Sequence, residues 1–432
     1  MKEIGLAVLG FGTVGAGVVE GLQRNAELIA RRVGARPVLR WIADLDLERD
    51  RGVRVDRSLL TRDARSAVED PRVDIVIELI GGVGIARELV TRALELGKPV
   101  ITANKKMLAE YGSELFGLAA ARDTELAFEA SVGGGIPIIK ALREGLVANN
   151  ILEIHGILNG TCNYILTRME LENLPFSEAL RAAQAAGFAE AEPSLDIDGL
   201  DTAHKAAILA SLAYGFPVPM SAVHVEGIRG LAIDEIRYAG ELGYRVKLLA
   251  IIKREANGIS VRVHPALVPA RHMLGSVDGV FNAVLVRGDI VGDTLYYGRG
   301  AGRLPTASAV LADVADVAAR LARGGQTGAR ALPLGGASEP LVDMSEIRTR
   351  YYLRMSLLDQ PGTLARVAAA LGAHRVSIAS MVQKERRQGE HVPVIMLTHA
   401  AEERAFRAAL AEIDALDVVG APTVALRIQD FE

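Results

Sequence analysis

The chain has 432 residues, half of them apolar and 24% charged, with a formal net charge of -4, which is the size of two or three domains and the composition of an ordinary globular protein. That acidic balance and an aromatic content of 4% argue against a nucleic-acid partner, because there is little to neutralise phosphates and little to stack on bases. The opening apolar run is too short for a signal peptide, no stretch reaches the roughly 18 apolar residues that span a bilayer, and the single Cys162 cannot form an internal disulfide, so a cytoplasmic protein with no membrane partner is expected.

Residues 4–9 read as a short apolar strand, followed at once by Gly10-Phe11-Gly12-Thr13-Val14-Gly15 and then by helical spacing over 14–30. Strand, glycine turn and helix in that order predict a dinucleotide site. Gly10 would permit the tight turn, Gly12 would let a pyrophosphate approach the backbone, and Gly15 would let helix and strand pack closely, with Thr13 and Val14 in the first turn at the phosphates. A second strand over 38–43 ends at Asp44. A carboxylate there accepts hydrogen bonds from the adenosine ribose hydroxyls and repels a 2′-phosphate, which favours NAD over NADP. Arg49 and Arg51 are the counterweight, since either could meet a phosphate. Strands over 74–79, 99–102 and 126–129 alternate with helical stretches over 85–96 and 105–121, the signature of an α/β fold with a Rossmann-type parallel sheet.

Past Glu129 the pattern changes. A glycine run over 131–137 opens a helix, a strand over 150–158 ends in Asn159-Gly160-Thr161-Cys162-Asn163, and Asn257-Gly258 marks a hairpin between alternating strands. This predicts an α+β domain. Gly298-Arg299-Gly300-Ala301-Gly302 leads into a helix over 304–323 expected to pack back on the first domain, and residues 324–336, rich in glycine, alanine and proline, read as a linker. The tail reads βαββαβ: strand 351–358, helix 363–373, strand 376–384, polar turn 386–390, strand 392–398, helix 402–410, strand 418–428. That is a ferredoxin-like module, suited to ligand sensing or dimerisation. The expected boundaries are 1–135 for dinucleotide binding, 136–303 for substrate and catalysis, 304–323 for the returning helix, 324–349 for the linker and 350–432 for the regulatory module.

Of 49 basic residues only nine are lysine. Arginine holds its proton at any working pH, whereas burial can tune a lysine into a general acid or base. Lys105, Lys106 and Lys205 stand out on that ground. Lys205 follows an acidic stretch and lies four residues after Asp201, on the same face of a helix starting near Gly199. Lys105 follows a parallel strand at the end where such sheets bind ligands; Lys106, His204, Asp196 and Asp198 read as surface, loop or cap residues.

Several motifs in order resemble those of homoserine dehydrogenase with a C-terminal ACT domain: GFGTVG at Gly10, VDIVIELIGG at Val73, GKPVITANKK at Gly97, FEASVGGGIPII at Phe128, GILNGTCNYIL at Gly156, AEAEPSLDIDGLDTAHK at Ala189, GRGAG at Gly298 and LLDQPGTLARVAAAL at Leu357. The resemblance implies reversible NAD(P)-dependent interconversion of L-homoserine and L-aspartate 4-semialdehyde. It implies Lys205 as general acid/base, Lys105 at the cofactor–substrate junction, Asp201 orienting Lys205 or holding substrate, Glu190 on the substrate ammonium, and Gly302 on the cofactor. It further implies a sodium site at Glu129 with the carbonyls of Val132, Gly134 and Ile136, a threonine effector at the ACT domain, and a homo-oligomer. Three positions depart from the pattern. Ala43 stands where NADP users often carry arginine, and Arg303 and Leu304 stand where glycine and methionine are expected. An oxidoreductase for another amino-acid aldehyde should lack the Glu190, Asp201 and Lys205 set, and a non-catalytic cofactor-binding regulator should lack one of the two key lysines.

Overall fold

The computed structural model describes residues 1–324, 338–384 and 387–431. The linker read over 324–336 falls outside the described residues except for Gly324, as does Arg386 of the polar turn. The chain forms two compact units: Met1–Gly160, Asp201–Val223 and Val280–Glu339 make the first, and Thr161–Leu200, His224–Gly279 and Pro340–Glu432 the second.

In the first unit β1 (Lys2–Leu9), α1 (Thr13–Val33), β2 (Ala35–Ala43), β3 (Leu60–Thr61), α2 (Ala64–Glu69), β4 (Ile75–Glu78), α3 (Gly84–Glu95), β5 (Val100–Thr102), α4 (Lys105–Ala121) and β6 (Leu126–Ala127) build a six-stranded sheet ordered β3-β2-β1-β4-β5-β6. Every pairing in it is parallel. Parallel strands need crossover helices that cover both faces, and β1 obeys: Leu6, Ala7, Val8 and Leu9 are all fully buried, with no alternation. The strand order reverses between β1 and β4, and in such sheets ligands bind in the crevice at that reversal. Gly10 turns there with φ 97°, and a Cβ on it would lie 2.6 Å from the Leu79 carbonyl oxygen.

The helix Arg303–Ala322 presents Val310, Val314 and Val317, spaced four and three residues apart, to a core shared with Leu6, Val8, Ile75 and Ile101 of the sheet and Val18 and Leu22 of α1. Each such valine, fully buried, stabilises by about 1.5–3 kcal/mol. The strand expected over 126–129 stops at Ala127, and Glu129 begins a single helical turn, Glu129–Ser131, because its carboxylate turns to accept the N–H groups of Ile139 and Lys140 at 2.9 and 2.8 Å. The unit also holds an antiparallel trio in which Phe281–Gly288 lies between Ile151–Ile157 and Gly292–Arg299. The helix Leu200–Tyr214, in this unit from Asp201 onward, buries Ala203, Ala206, Ala207, Ile208, Leu209 and Ala210, which leaves little of it wet.

In the second unit Tyr244–Glu255 and Gly258–Pro269 form a long hairpin. Its two-residue loop is Ala256-Asn257, one step earlier than the Asn257-Gly258 signal: Gly258 already pairs with Glu255, and a Cβ there would sit 2.2 Å from the Pro340 carbonyl oxygen. The sheet continues through Val419–Ile428, parallel to Gly258–Pro269, then Arg348–Leu358, His391–Thr398 and Ile378–Gln383. Tyr351, Leu353, Met355 and Leu357 alternate inward against Val367 and Leu371 of the helix Thr363–Ala373 and Phe406 and Ile413 of the helix Glu403–Asp414. The result is the ferredoxin-like βαββαβ module read from the tail. Among the described residues no helix is long and apolar enough to cross a membrane.

Candidate active site

The glycine turn after β1 has the shape a dinucleotide needs. No side chain caps the start of α1, so its first-turn N–H groups at Thr13 and Val14 and the positive end of its dipole are available to an anion. A Cβ on Gly12 would meet nothing within 4 Å, leaving that backbone open to a ligand, whereas one on Gly15 would lie 2.0 Å from the Gly10 carbonyl oxygen. The Asp44 carboxylate, at the end of β2, accepts the Phe11 N–H at 2.6 Å and the Asp46 N–H at 2.9 Å. Arg51 reaches to 3.6 Å of it, while Arg49 is exposed. Gly302 precedes the helix Arg303–Ala322 with φ 124°. The turn before it packs backbone against backbone on the glycine run: a Cβ on Gly134 would lie 2.4 Å from the Gly300 carbonyl oxygen.

The structure brings Lys105, Asp201 and Lys205 into one cluster. Asp201 and Lys205 sit one turn apart on the helix Leu200–Tyr214, both buried, at 7% and 9% exposure. The Lys205 ammonium donates to Asp201 Oδ2 at 2.7 Å and to the Leu158 carbonyl at 2.6 Å. Asn159 Nδ2 donates to the same Oδ2 at 2.9 Å, and Lys105 Nζ lies 2.8 Å from Oδ1. Burial would raise the Asp201 carboxyl, but the charges of Lys205 and Lys105 and their hydrogen bonds outweigh it and hold it well below the usual range. Lys105 is the first residue of α4, and Asn104 before it accepts the Met107 N–H at 3.1 Å and donates to the Gly82 carbonyl at 2.6 Å. An ammonium carries three N–H groups; Asp201 and Leu158 take two from Lys205, and the third suits a substrate oxygen.

Glu190 belongs to the second unit, exposed in the turn after the helix Phe176–Ala185, where its carbonyl accepts from Gln184. Asp198 pairs with Arg229 at 2.6 Å, and Asp196 lies in the short helix Ser194–Ile197. Lys106 faces Glu110 at 3.9 Å. His204 is half-buried, which keeps its imidazole below its ordinary range. Around Glu129 the donors are one buried carboxylate and the carbonyls of a glycine turn, oxygen ligands of the kind a hard cation takes. Burial and the neighbouring Asp313 push that carboxyl up to about 7, and the Ile136 carbonyl accepts from the Ile138 N–H at 2.8 Å. Among the described residues no three histidines, cysteines or carboxylates gather as a metal site.

Sequence reading passed over Asn159, Asn104 and Glu78. Glu78 is fully buried and accepts from the N–H groups of Ile80 and Gly81 and from the Thr102 hydroxyl, holding the rim beyond β4. Asn104 had a usable signal, an asparagine directly before a helix. Asn159 entered only as the first residue of the run that ends the strand over 150–158.

Residues 10–129 match the NAD-binding domain of homoserine dehydrogenase, residues 137–315 the homoserine dehydrogenase domain and residues 351–418 the ACT domain. A homoserine dehydrogenase of Neisseria gonorrhoeae is 46% identical over 436 residues, covering all of both chains. The crystal structure of a homoserine dehydrogenase from Thiobacillus denitrificans, also 46% identical, superposes with a TM-score of 0.95 over 100% of this chain and 99% of that one. A hyperthermophilic archaeal homoserine dehydrogenase mutant in complex with NADPH, 28% identical, matches with a TM-score of 0.62 over 73% of this chain and 97% of that one. The chain belongs to the homoserine dehydrogenase family and carries an NAD-binding domain and a C-terminal ACT domain.

Proposed function

We propose that Lys205 is the proton donor and acceptor of the homoserine dehydrogenase reaction, that Asp201 and Lys105 position it and the substrate oxygen, that Glu190 receives the substrate ammonium, and that NAD is preferred to NADP. The observation that carries this reading is one buried carboxylate shared by two lysines in a chain that writes nearly all its other cations as arginine. The dinucleotide, when bound, supplies or accepts the hydride at the carbon bearing the reacting oxygen. In the reductive direction that oxygen gains negative charge and Lys205 gives it a proton; in the oxidative direction Lys205 takes the hydroxyl proton. Asp201 keeps the Lys205 side chain aimed in both directions, as the ammonium that gives the proton and as the neutral amine that takes it, since Asn159 and Lys105 hold the carboxylate from other sides.

Residues 1–135 are assigned to the dinucleotide, 136–303 to the substrate, 304–323 to bracing the first domain, 324–349 to the linker and 350–432 to an amino-acid effector, threonine first. A sodium ion on Glu129, Val132, Gly134 and Ile136 belongs to the reading as a brace for the glycine run, with no chemical step passing through it. The proposal includes a homo-oligomer and a reducing cytoplasm, consistent with a single, buried cysteine. For the cofactor, Asp44 offers acceptors to ribose hydroxyls and Ala43 offers no guanidinium to a 2′-phosphate. The test is homoserine-dependent reduction of NAD and NADP by the purified chain. We expect kcat/KM to favour NAD and Asp44→Ala to narrow the gap; a wild-type preference for NADP would reject the cofactor assignment.

A further inference from the structure

We propose that Arg303 is a positioning residue for the adenosine end of the dinucleotide, acting through the loop that follows β2. The proposal rests on the NAD(P)-dependent reading above. Arg303 is the first residue of the helix Arg303–Ala322, and its stem crosses α1 where Gly17 leaves room: a Cβ on Gly17 would lie 2.9 Å from Arg303 Cγ. Its guanidinium then divides. Nη2 pairs with Glu20 of α1 at 2.8 Å, and Nη1 donates to the Arg51 carbonyl at 2.9 Å. The side chain of Arg51 in turn lies 3.6 Å from Asp44 Oδ1 and donates to the Asp46 carbonyl at 3.3 Å, and Asp44 Oδ2 accepts the Phe11 N–H of the glycine turn. One run of contacts therefore joins Glu20, Arg303, Arg51, Asp44 and Phe11.

Most of the hydrogen bonds within the loop are its own short turns. Asp44 accepts from the Asp46 N–H, Asp46 from those of Glu48 and Arg49, and Asp50 from that of Gly52. Such bonds shape a loop without attaching it to the body of the protein. Attachment comes mainly at its ends, with the Leu45 carbonyl accepting from Arg62 at 3.3 Å and exposed Glu48 facing exposed Arg57 at 3.8 Å. Asp44 holds the glycine turn at one end; at the other the Arg54 carbonyl accepts from Gln23, and Val53 and Val55 pack on Phe11 and Ile42. Between them Arg303 holds the peptide of Arg51. With that peptide held, the Arg51 guanidinium stays against Asp44 and Asp46, and the carboxylate that faces the ribose keeps its place beside the glycine turn. Without Arg303 the middle of the loop is released, and the ordering it then needs on binding lowers affinity for the adenosine half alone.

Titration calorimetry of the ligand-free chain with NAD and with ADP-ribose tests this, alongside kinetics and thermal melting. We expect Arg303→Ala to weaken both ligands about fivefold or more, an effect easily resolved as a shift in Kd, while kcat at saturating cofactor and KM for homoserine stay at wild-type values. Glu20→Gln, which removes only the outer partner, should weaken both ligands less, and it decides the matter if Arg303→Ala melts early. Equal affinity of wild type and a stably folded Arg303→Ala for ADP-ribose would overturn the clamp and leave the dehydrogenase reading intact. Failure of wild type to bind either ligand would overturn the dinucleotide reading and the clamp with it.

Discussion

Lys205 and Lys105 give Asp201 two partners that can change protonation, a freedom the arginines elsewhere in the chain lack. Lys205→Ala should therefore lower kcat by at least about 100-fold, the usual contribution of general acid–base catalysis, while NAD affinity measured by calorimetry is unchanged. A variant retaining most of its rate would remove Lys205 from the mechanism. Glu190 is exposed, and as the proposed partner of the substrate ammonium its change to glutamine, Glu190→Gln, should raise KM for homoserine more than KM for the dinucleotide; equal effects would point to misfolding. Among these residues the lysines drew attention by residue economy and helical spacing. Asn159 did not, because the bond that matters reaches Asp201 across 42 positions.

At the scale of elements, α1 and the helix Arg303–Ala322 approach so closely that a Cβ on Gly17 would lie 2.5 Å from the Arg303 carbonyl oxygen. Glycine inside a helix is unfavourable by about 1 kcal/mol relative to alanine, and here close packing offsets it. Gly17→Leu should consequently destabilise the protein by about 1–3 kcal/mol in denaturant unfolding, the scale of overpacking, although helix propensity alone predicts the opposite sign. Gly117 on α4 is the control. It is exposed, and a Cβ there would meet nothing within 4 Å, so Gly117→Ala should stabilise by about 0.5–1 kcal/mol. Propensity was legible at both positions; the neighbour that reverses it at Gly17 was not.

At the scale of the whole molecule, the βαββαβ tail joins the second unit through Arg427, on the strand parallel to Gly258–Pro269. Arg427 is 4% exposed and bonds Glu403 at 2.6 and 2.9 Å and Glu226 at 2.7 and 2.9 Å, while the Tyr351 hydroxyl donates to Glu403 at 2.7 Å. Arg427→Met takes the buried cation from Glu403 and leaves it the half-exposed Arg407 at 2.7 Å, which should cost up to about 3–5 kcal/mol at neutral pH, the scale of a broken buried pair. Burial works to raise the Glu403 carboxyl, but the Arg427 bonds and charge reverse this and leave it below the ordinary value. The unfolded chain then takes up the proton first, so this stabilisation is present above the unfolded carboxyl pKa of about 4.5 and is lost as pH falls below it. Thermal melting across pH 3 to 7 should show that acid loss in wild type and a shallower one in Arg427→Met. The amino-acid sequence alone determined the parallel sheet with its glycine turn, the βαββαβ tail and the family, because period, turn residues and short motifs are local signals. Tertiary structure decided which groups share Asp201, that Arg303 meets a loop 252 positions away, and that residues 201–214 lie in the same compact unit as the glycine turn. Periodicity reports the face a side chain occupies; the partner it meets there is set by how distant segments pack.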